Sequence, residues 1–205
     1  MGELRESKKR ETRMRISDVA TALFFERGFD AVTVDEIAAA ARVSKVTVFN
    51  YFARKEDLHI DRDEEVKRLF CEALSTRPKG EAPIDALGRL KARLCEDRSP
   101  FAWVNRDTVR WWSVVAASPS LQARVRELGD EVAEAIAIEL AGPKPDGRAR
   151  LFGGMVVLAW RTAYSEGLRV FERGGSAKKA SAAFSAFLDY GFAAIRAAVA
   201  GSPKS

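Results

Sequence analysis

One histidine and two cysteines in 205 residues leave little material for metal or nucleophilic chemistry. Cys71 and Cys95 stand apart, with no CxxC spacing and no histidine nearby, which excludes a zinc site and a disulfide scaffold and fits a reducing compartment. His59 and Asp63 share a helix face at i, i+4 spacing, half of a metal site with no other half, so a solvated ion pair is expected there. There is no Gly-rich phosphate loop and no G-x-S-x-G, so the sequence favours no enzyme class and calls for no cofactor. The first residues lack an apolar signal core, and no run of about 18 apolar residues occurs, so the expectation is a cytoplasmic protein without a membrane partner. What is present is ordinary globular material, 47% hydrophobic and 31% charged, in a chain long enough to bury a sizeable core.

Charge of one sign is also scarce. Lys+Arg number 34 and Asp+Glu 29, a net of +5. Residues 1–58 hold 11 basic and 10 acidic side chains, a net of 11 − 10 = +1, so charge alone does not locate a nucleic-acid-binding face. The local exception is the first 15 residues. There Arg5, Lys8, Lys9, Arg10, Arg13 and Arg15 outnumber Glu3, Glu6 and Glu11, either as a basic arm for nucleic acid or as a solubilising tail.

Apolar periodicity predicts helix almost throughout. Ile16, Val19, Ala20, Leu23 and Phe24 form one face of a helix from about Thr12 that stops at Gly28. Thr33-Val-Asp-Glu36 is a capping box opening a short second helix, and Ser44 caps a third from Lys45 to about Tyr51. A longer helix is expected from Glu56 towards Leu74. Pro78-Lys-Gly80 with Pro83, Arg98-Ser-Pro100, Ser118-Pro119, Gly142-Pro-Lys-Pro145 and Gly174-Gly175 break the remainder into five more helices. No alternating strand pattern appears, so the fold class is all-α, with about nine helices.

Short helices joined by about three residues have the geometry of a helix-turn-helix. The third helix needs only Val48 and Phe52, with Val43 before them, to anchor it inward, which leaves Lys45, Val46, Thr47, Phe49, Asn50 and Tyr51 outside. Such a face suits a DNA groove: Lys and Thr reach phosphates, Asn reads adenine edges, and ring faces pack on sugar or thymine methyls. The competing reading is a short connecting helix whose aromatics pack inward. Lys55, placed in the first turn of the expected fourth helix, opposes the macrodipole there and would suit a phosphate.

The ordered series Ile16, Ala20, Leu23, Phe24, Gly28, Thr33, Ile37, Ala38, Ala41, Val43, Ser44, Thr47, Phe49, Tyr51, Phe52, Lys55 and Leu58 resembles the DNA-binding domain of TetR-type bacterial transcriptional regulators. The resemblance covers residues from about 10 to 58. It implies that the helix from Lys45 is the recognition helix. It also implies that Thr33, Thr47, Tyr51 and Lys55 sit at phosphate-contacting positions, and that Lys45, Val46, Phe49 and Asn50 face the bases. Arg42 stands where the family usually has Gly, Val46 where a small residue is common, Phe49 in place of Tyr, and Ala53-Arg54 in place of Pro-Ser. Losing the Tyr hydroxyl removes one phosphate bond, while Arg42 and Arg54 offer two cations.

The resemblance makes residues 1–58 the DNA-binding domain and 59–205 a regulatory, ligand-binding and dimerisation domain. It implies a homodimeric repressor of a palindromic operator in double-stranded DNA, released by a small, largely apolar effector. Met155, Ala159, Ala163 and Gly167 recur every four residues in the penultimate helix, a small-residue stripe. In the last helix Ala180, Phe184, Phe187, Leu188, Gly191 and Ile195 form an apolar face. Ala159, Ala163, Gly167, Phe184, Phe187, Leu188, Gly191 and Ile195 are accordingly the expected dimer residues, with an intramolecular core as the alternative. Trp103, Trp111, Met155, Trp160 and Tyr164 are the expected lining of an effector cavity, although core packing explains the same aromatics equally well. A different class also fits: a helical carrier of an apolar ligand whose TetR-like start no longer binds DNA.

Overall fold

Among the residues described in this computed structural model, 2–200 for the backbone and 7–199 for the side chains, the chain forms nine α-helices and no strand. Arg5, Glu3 and Glu6 of the basic start lie outside the described side chains. The helices are α1 (Gly2–Arg27), α2 (Val34–Ala40), α3 (Lys45–Tyr51), α4 (Asp63–Ser75), α5 (Pro83–Glu96), α6 (Arg106–Ala117), α7 (Pro119–Ala141), α8 (Gly147–Glu172) and α9 (Ala177–Ala200), with a single 3-10 turn at Glu56–Leu58.

Two compact units share these elements. The first holds the residues up to Arg62 together with Arg110–Arg126, and the second holds Asp63–Val109 together with the residues from Glu127 onward. The chain therefore changes unit after Arg62, within α6 and within α7. The division at 58/59 expected from the sequence is contiguous, whereas these units are not.

In the first unit Ile16, Ala20 and Phe24 of α1 are buried with Ile37 and Ala38 of α2 and Val48 of α3. Gly28 ends α1 in the left-handed region, φ 82°, where a side chain is disfavoured. The returning stretch is fastened by polar bonds. Trp111 Nε1 donates to the His59 carbonyl at 3.0 Å, Ser118 Oγ donates to Asp30 Oδ1 at 2.9 Å, and buried Arg124 Nε donates to Asp57 Oδ1 at 2.9 Å.

The long helix expected from Glu56 does not form as one piece. After one 3-10 turn the chain bends, and α4 begins at Asp63. Two carbonyls in the bend serve other partners: that of His59 accepts Trp111 Nε1, and that of Asp61 accepts Arg13 Nη2 at 3.0 Å. Leu58, His59 and Ile60 are all buried, so this segment plugs the unit instead of running on as a surface helix.

In the second unit α8 and α9 pack closely because small residues line their seam. A Cβ on Gly191 would lie 2.9 Å from the Ala159 Cβ, and one on Gly167 would lie 3.0 Å from the Ala180 carbonyl oxygen. Gly153 brings α8 equally close to α7, where any Cβ would enter the Ala133 carbonyl. Lys91 of α5 donates to Asp189 at 2.6 Å and to Ser185 at 3.1 Å on α9. Residues 177–199 of α9 are long and apolar enough, by length and composition, to cross a membrane. Its Ala180, Phe184, Leu188, Phe192 and Ile195 are instead buried in the unit.

Candidate nucleic-acid interface

The candidate interface starts from two caps. Thr33 Oγ1 accepts the Glu36 N–H at 3.2 Å, and Glu36 Oε2 accepts the Thr33 N–H at 2.8 Å, closing the capping box of α2. The Thr33 N–H and hydroxyl, both donating to Glu36 Oε2 at 2.8 Å, with Arg27 2.8 Å from Glu36 Oε1, hold the Glu36 carboxyl down to about 2. Ser44 Oγ accepts the Thr47 N–H at 3.0 Å and opens α3. Between the helices, Arg42 adopts φ 54°. A non-glycine residue in that region costs about 1 kcal/mol or more. The Val43 N–H still reaches the Ala38 carbonyl at 2.9 Å and closes the turn.

Val48 and Phe52 anchor α3 inward, each 1% exposed. Its outer face presents Lys45, Val46, Phe49 and Asn50, all exposed. Val46 at 69% and Phe49 at 46% are large apolar side chains left in water, an arrangement that calls for a partner more than single scattered residues do. Lys45 Nζ rests 2.8 Å from Asp35 Oδ2 in an exposed pair, which leaves the ammonium on the surface. Arg42 and Arg54 are also exposed, and Thr33 lies at the start of α2 on the surface. Tyr51 is half-buried, and the Thr47 hydroxyl lies 2.8 Å from Ser44 Oγ. Of the residues expected at the interface, Thr33, Arg42, Lys45, Val46, Phe49 and Asn50 are thus exposed, and Thr47 and Tyr51 are half-buried.

Lys55 is turned inward. Its Nζ donates to the Phe29 carbonyl at 2.6 Å and sits 4.1 Å from the Phe29 ring centroid, and burial lowers its pKa. Lys55 therefore does not stand in the first turn of an α-helix, as the sequence predicts, but at the start of the 3-10 turn. A 3-10 turn and two aromatic rings supply a different environment.

His59 is likewise no solvated partner of Asp63. It is 1% exposed, stacks on Trp111 at 4.7 Å with 10° between the planes, and has Nε2 3.2 Å from the Trp111 carbonyl. Burial pushes the imidazole down to about 4, so it is neutral near pH 7. Among the described residues no cluster of His, Cys, Asp and Glu fit to hold a metal occurs.

The remaining expected sites separate. Trp111 belongs to the first unit, whereas Trp103, Met155, Trp160 and Tyr164 belong to the second. Trp160 Nε1 donates to the Phe101 carbonyl at 3.0 Å, and Tyr164 Oη donates to the Pro100 carbonyl at 2.8 Å, so both aromatics tie down the segment before α6. Ala159, Ala163, Gly167, Phe184, Leu188 and Ile195, expected at a dimer surface, are buried within one chain, and Gly191 packs on Ala159. They form the α8–α9 seam and are not free for a partner. Phe187, half-buried, lies 6.0 Å from the ring of exposed Tyr190. The apolar residues these helices leave outside are Leu151, Leu158, Tyr190 and Val199. Their i, i+7 spacing on α8 carried the only signal, and a wider apolar stripe beside it masked that signal.

Residues 16–60 match the family described as bacterial regulatory proteins, tetR family. The HTH-type transcriptional regulator TcmR of Streptomyces glaucescens is 37% identical over 84 residues, 41% of this chain and 37% of that protein. The HTH-type regulator YdeS of Bacillus subtilis is 44% identical over 50 residues, 24% of this chain and 25% of the relative. The chain thus spans well under two thirds of either relative. The fold is shared more widely. NalD, the secondary repressor of the MexAB-OprM multidrug efflux pump in Pseudomonas aeruginosa, superposes with a TM-score of 0.54 at 19% identity, covering 89% of this chain and 97% of that one. A TetR-family regulator of Streptomyces coelicolor gives 0.52 at 22% identity, covering 90% and 96%. The matched family and relatives are regulators and not enzymes. Residues 16–60 thus form a helix-turn-helix domain of the tetR family of bacterial regulatory proteins.

Proposed function

We propose that the protein is a cytoplasmic, ligand-responsive repressor that binds a palindromic operator as a homodimer and leaves it when a small, largely apolar effector binds. The observation that carries this reading is the outer face of α3, where Val46, Phe49 and Asn50 lie exposed on a helix anchored by Val48 and Phe52. Asn50 suits a bidentate contact to adenine, and Val46 and Phe49 suit thymine methyls. Lys45, Thr47, Tyr51, Thr33, Arg42 and Arg54 surround them with phosphate partners. Lys55 acts from behind, holding the Phe29 carbonyl.

Two-fold pairing places the recognition helices in successive major grooves about 34 Å apart. The exposed face of Leu151 and Leu158 on α8, with Tyr190 on α9, is the surface assigned to the second copy. Trp103, Met155, Trp160 and Tyr164 are the residues assigned to the effector, while Trp111 packs on His59 within the first unit.

Selection of duplexes from a randomised library tests the reading. The wild type enriches a palindrome, and Asn50→Ala changes the preferred bases, with about 1–3 kcal/mol of discrimination lost at the position it reads. Leu158→Glu with Tyr190→Glu gives a monomer that binds the palindrome far more weakly. A wild type that enriches nothing, and that carries an apolar ligand through purification, would make it a carrier.

A further inference from the structure

The six cations at the start of the chain read as one basic arm, yet one of them faces the other way. Arg13 lies on α1, and its Nη1 donates to the Tyr51 carbonyl at 2.6 Å while its Nη2 donates to the Asp61 carbonyl at 3.0 Å. The guanidinium carbon sits 4.2 Å from the Phe52 ring centroid. Lys8, Lys9, Arg10 and Arg15 are exposed, whereas Arg13 is half-buried.

Tyr51 is the last residue of α3 and Phe52 its C-cap, so the guanidinium meets the helix where free carbonyls and the negative end of the macrodipole are found. One turn further along α1, Ser17 Oγ donates to the Asp61 carboxylate, giving the same short segment a second fastening. Burial raises the Asp61 carboxyl, against the opposing effects of Ser17 and Arg13. Only a planar fork spans two carbonyls while stacking on a ring. A lysine ammonium has the charge without the fork.

From this we infer that Arg13 is a positioning residue, which fixes the C-terminal end of α3 against α1 and so sets the register in which the outer face reads bases. It is not a phosphate contact. The inference rests on the DNA-binding reading above and adds a role to it. A phosphate contact contributes equally to every sequence and steepens the salt dependence, whereas a positioning residue supports sequence discrimination and leaves the salt exponent alone.

The test compares wild type, Arg13→Ala, Arg13→Lys and Lys9→Ala on the palindrome enriched by the wild type and on a scrambled duplex, each titrated with salt. Arg13→Ala is expected to weaken the palindrome about tenfold, the size of a lost charge-assisted hydrogen bond, with the scrambled duplex and the salt exponent unchanged. Arg13→Lys is expected to fail in the same way. Restored discrimination in Arg13→Lys, or an Arg13→Ala exponent smaller by about 0.9 per site with the affinity ratio intact, would make Arg13 a phosphate contact and overturn the inference. Lys9→Ala gives the pattern of an exposed cation for comparison. If Arg13→Ala lost its cooperative thermal transition, Arg13→Lys would carry the test, and loss of the fold in both would assign Arg13 to the core instead. A wild type that enriches no palindrome would sink the DNA-binding reading itself, a result distinct from all of these.

Discussion

In the first unit, arginines, a lysine and a tryptophan reach carbonyls and carboxylates far away in sequence: Arg13 to Tyr51 and Asp61, Lys55 to Phe29, Trp111 to His59, Arg124 to Asp57. In the second unit the closest approaches run through glycine and alanine, at Gly153 on Ala133, Gly167 on Ala180 and Gly191 on Ala159. Long polar fastenings fix orientation, because each needs one geometry. Small-residue seams fix distance, because the backbones themselves are in contact. A unit that presents a reading helix gains from the first device. A pair of long helices packed along a shared seam gains from the second.

Acid should separate the units most strongly. The folded first unit holds His59 at about 4. A free imidazole titrates near 6.5, so between these values the unfolded chain binds a proton that the folded one does not. Stability is full above about pH 6.5 and falls as the pH drops towards 4, by about 3 kcal/mol in all. Asp61 works in the opposite sense, since its raised carboxyl favours the fold at low pH and loses that contribution as the pH climbs. Between pH 7 and 5 the His59 contribution is therefore read as the difference between wild type and His59→Phe. The second unit contains no histidine and should stay flat there. Urea midpoints from single-tryptophan variants retaining Trp111 or Trp160 measure both, and His59→Phe should flatten the first. Midpoints that move together at every pH would dissolve the distinction.

The seam can be broken next. Gly153→Ala forces a methyl into the Ala133 carbonyl and should cost about 2 kcal/mol, seen by the Trp160 probe. Gly88→Ala, in α5 with nothing within 4 Å of the new Cβ, should instead stabilise by about 0.5–1 kcal/mol. Equal signs for the two would contradict the seam. The smallest effect is at the interface surface. Asp35→Ala removes an exposed pair with Lys45 and should change stability by about 0.3 kcal/mol or less. It should tighten DNA binding by freeing Lys45, which anisotropy titration reads directly.

Legibility in the sequence followed the range of the interactions. Thr33 and Ser44 cap within three residues, so both caps and the bounds of α3 could be read directly. Gly28, Pro119 and Gly142 mark helix ends for equally local reasons. The 3-10 turn after Lys55 could not be read, because its cause lies in Phe24, Phe29 and Trp111, which are remote in sequence. Arg13 looked like its exposed neighbours because composition carries no direction. On α8 and α9 the apolar pattern marked a contact face, and only packing showed that the wider stripe is spent inside the chain.

The central claim, a dimer that engages DNA phosphates through α3 and its surroundings, is tested most directly by one salt titration. Binding of the wild type to its enriched palindrome is measured by fluorescence anisotropy at several salt concentrations. With six or more phosphates engaged, affinity should fall at least about a thousandfold between 50 and 200 mM. An affinity that stays level across that range would contradict the claim.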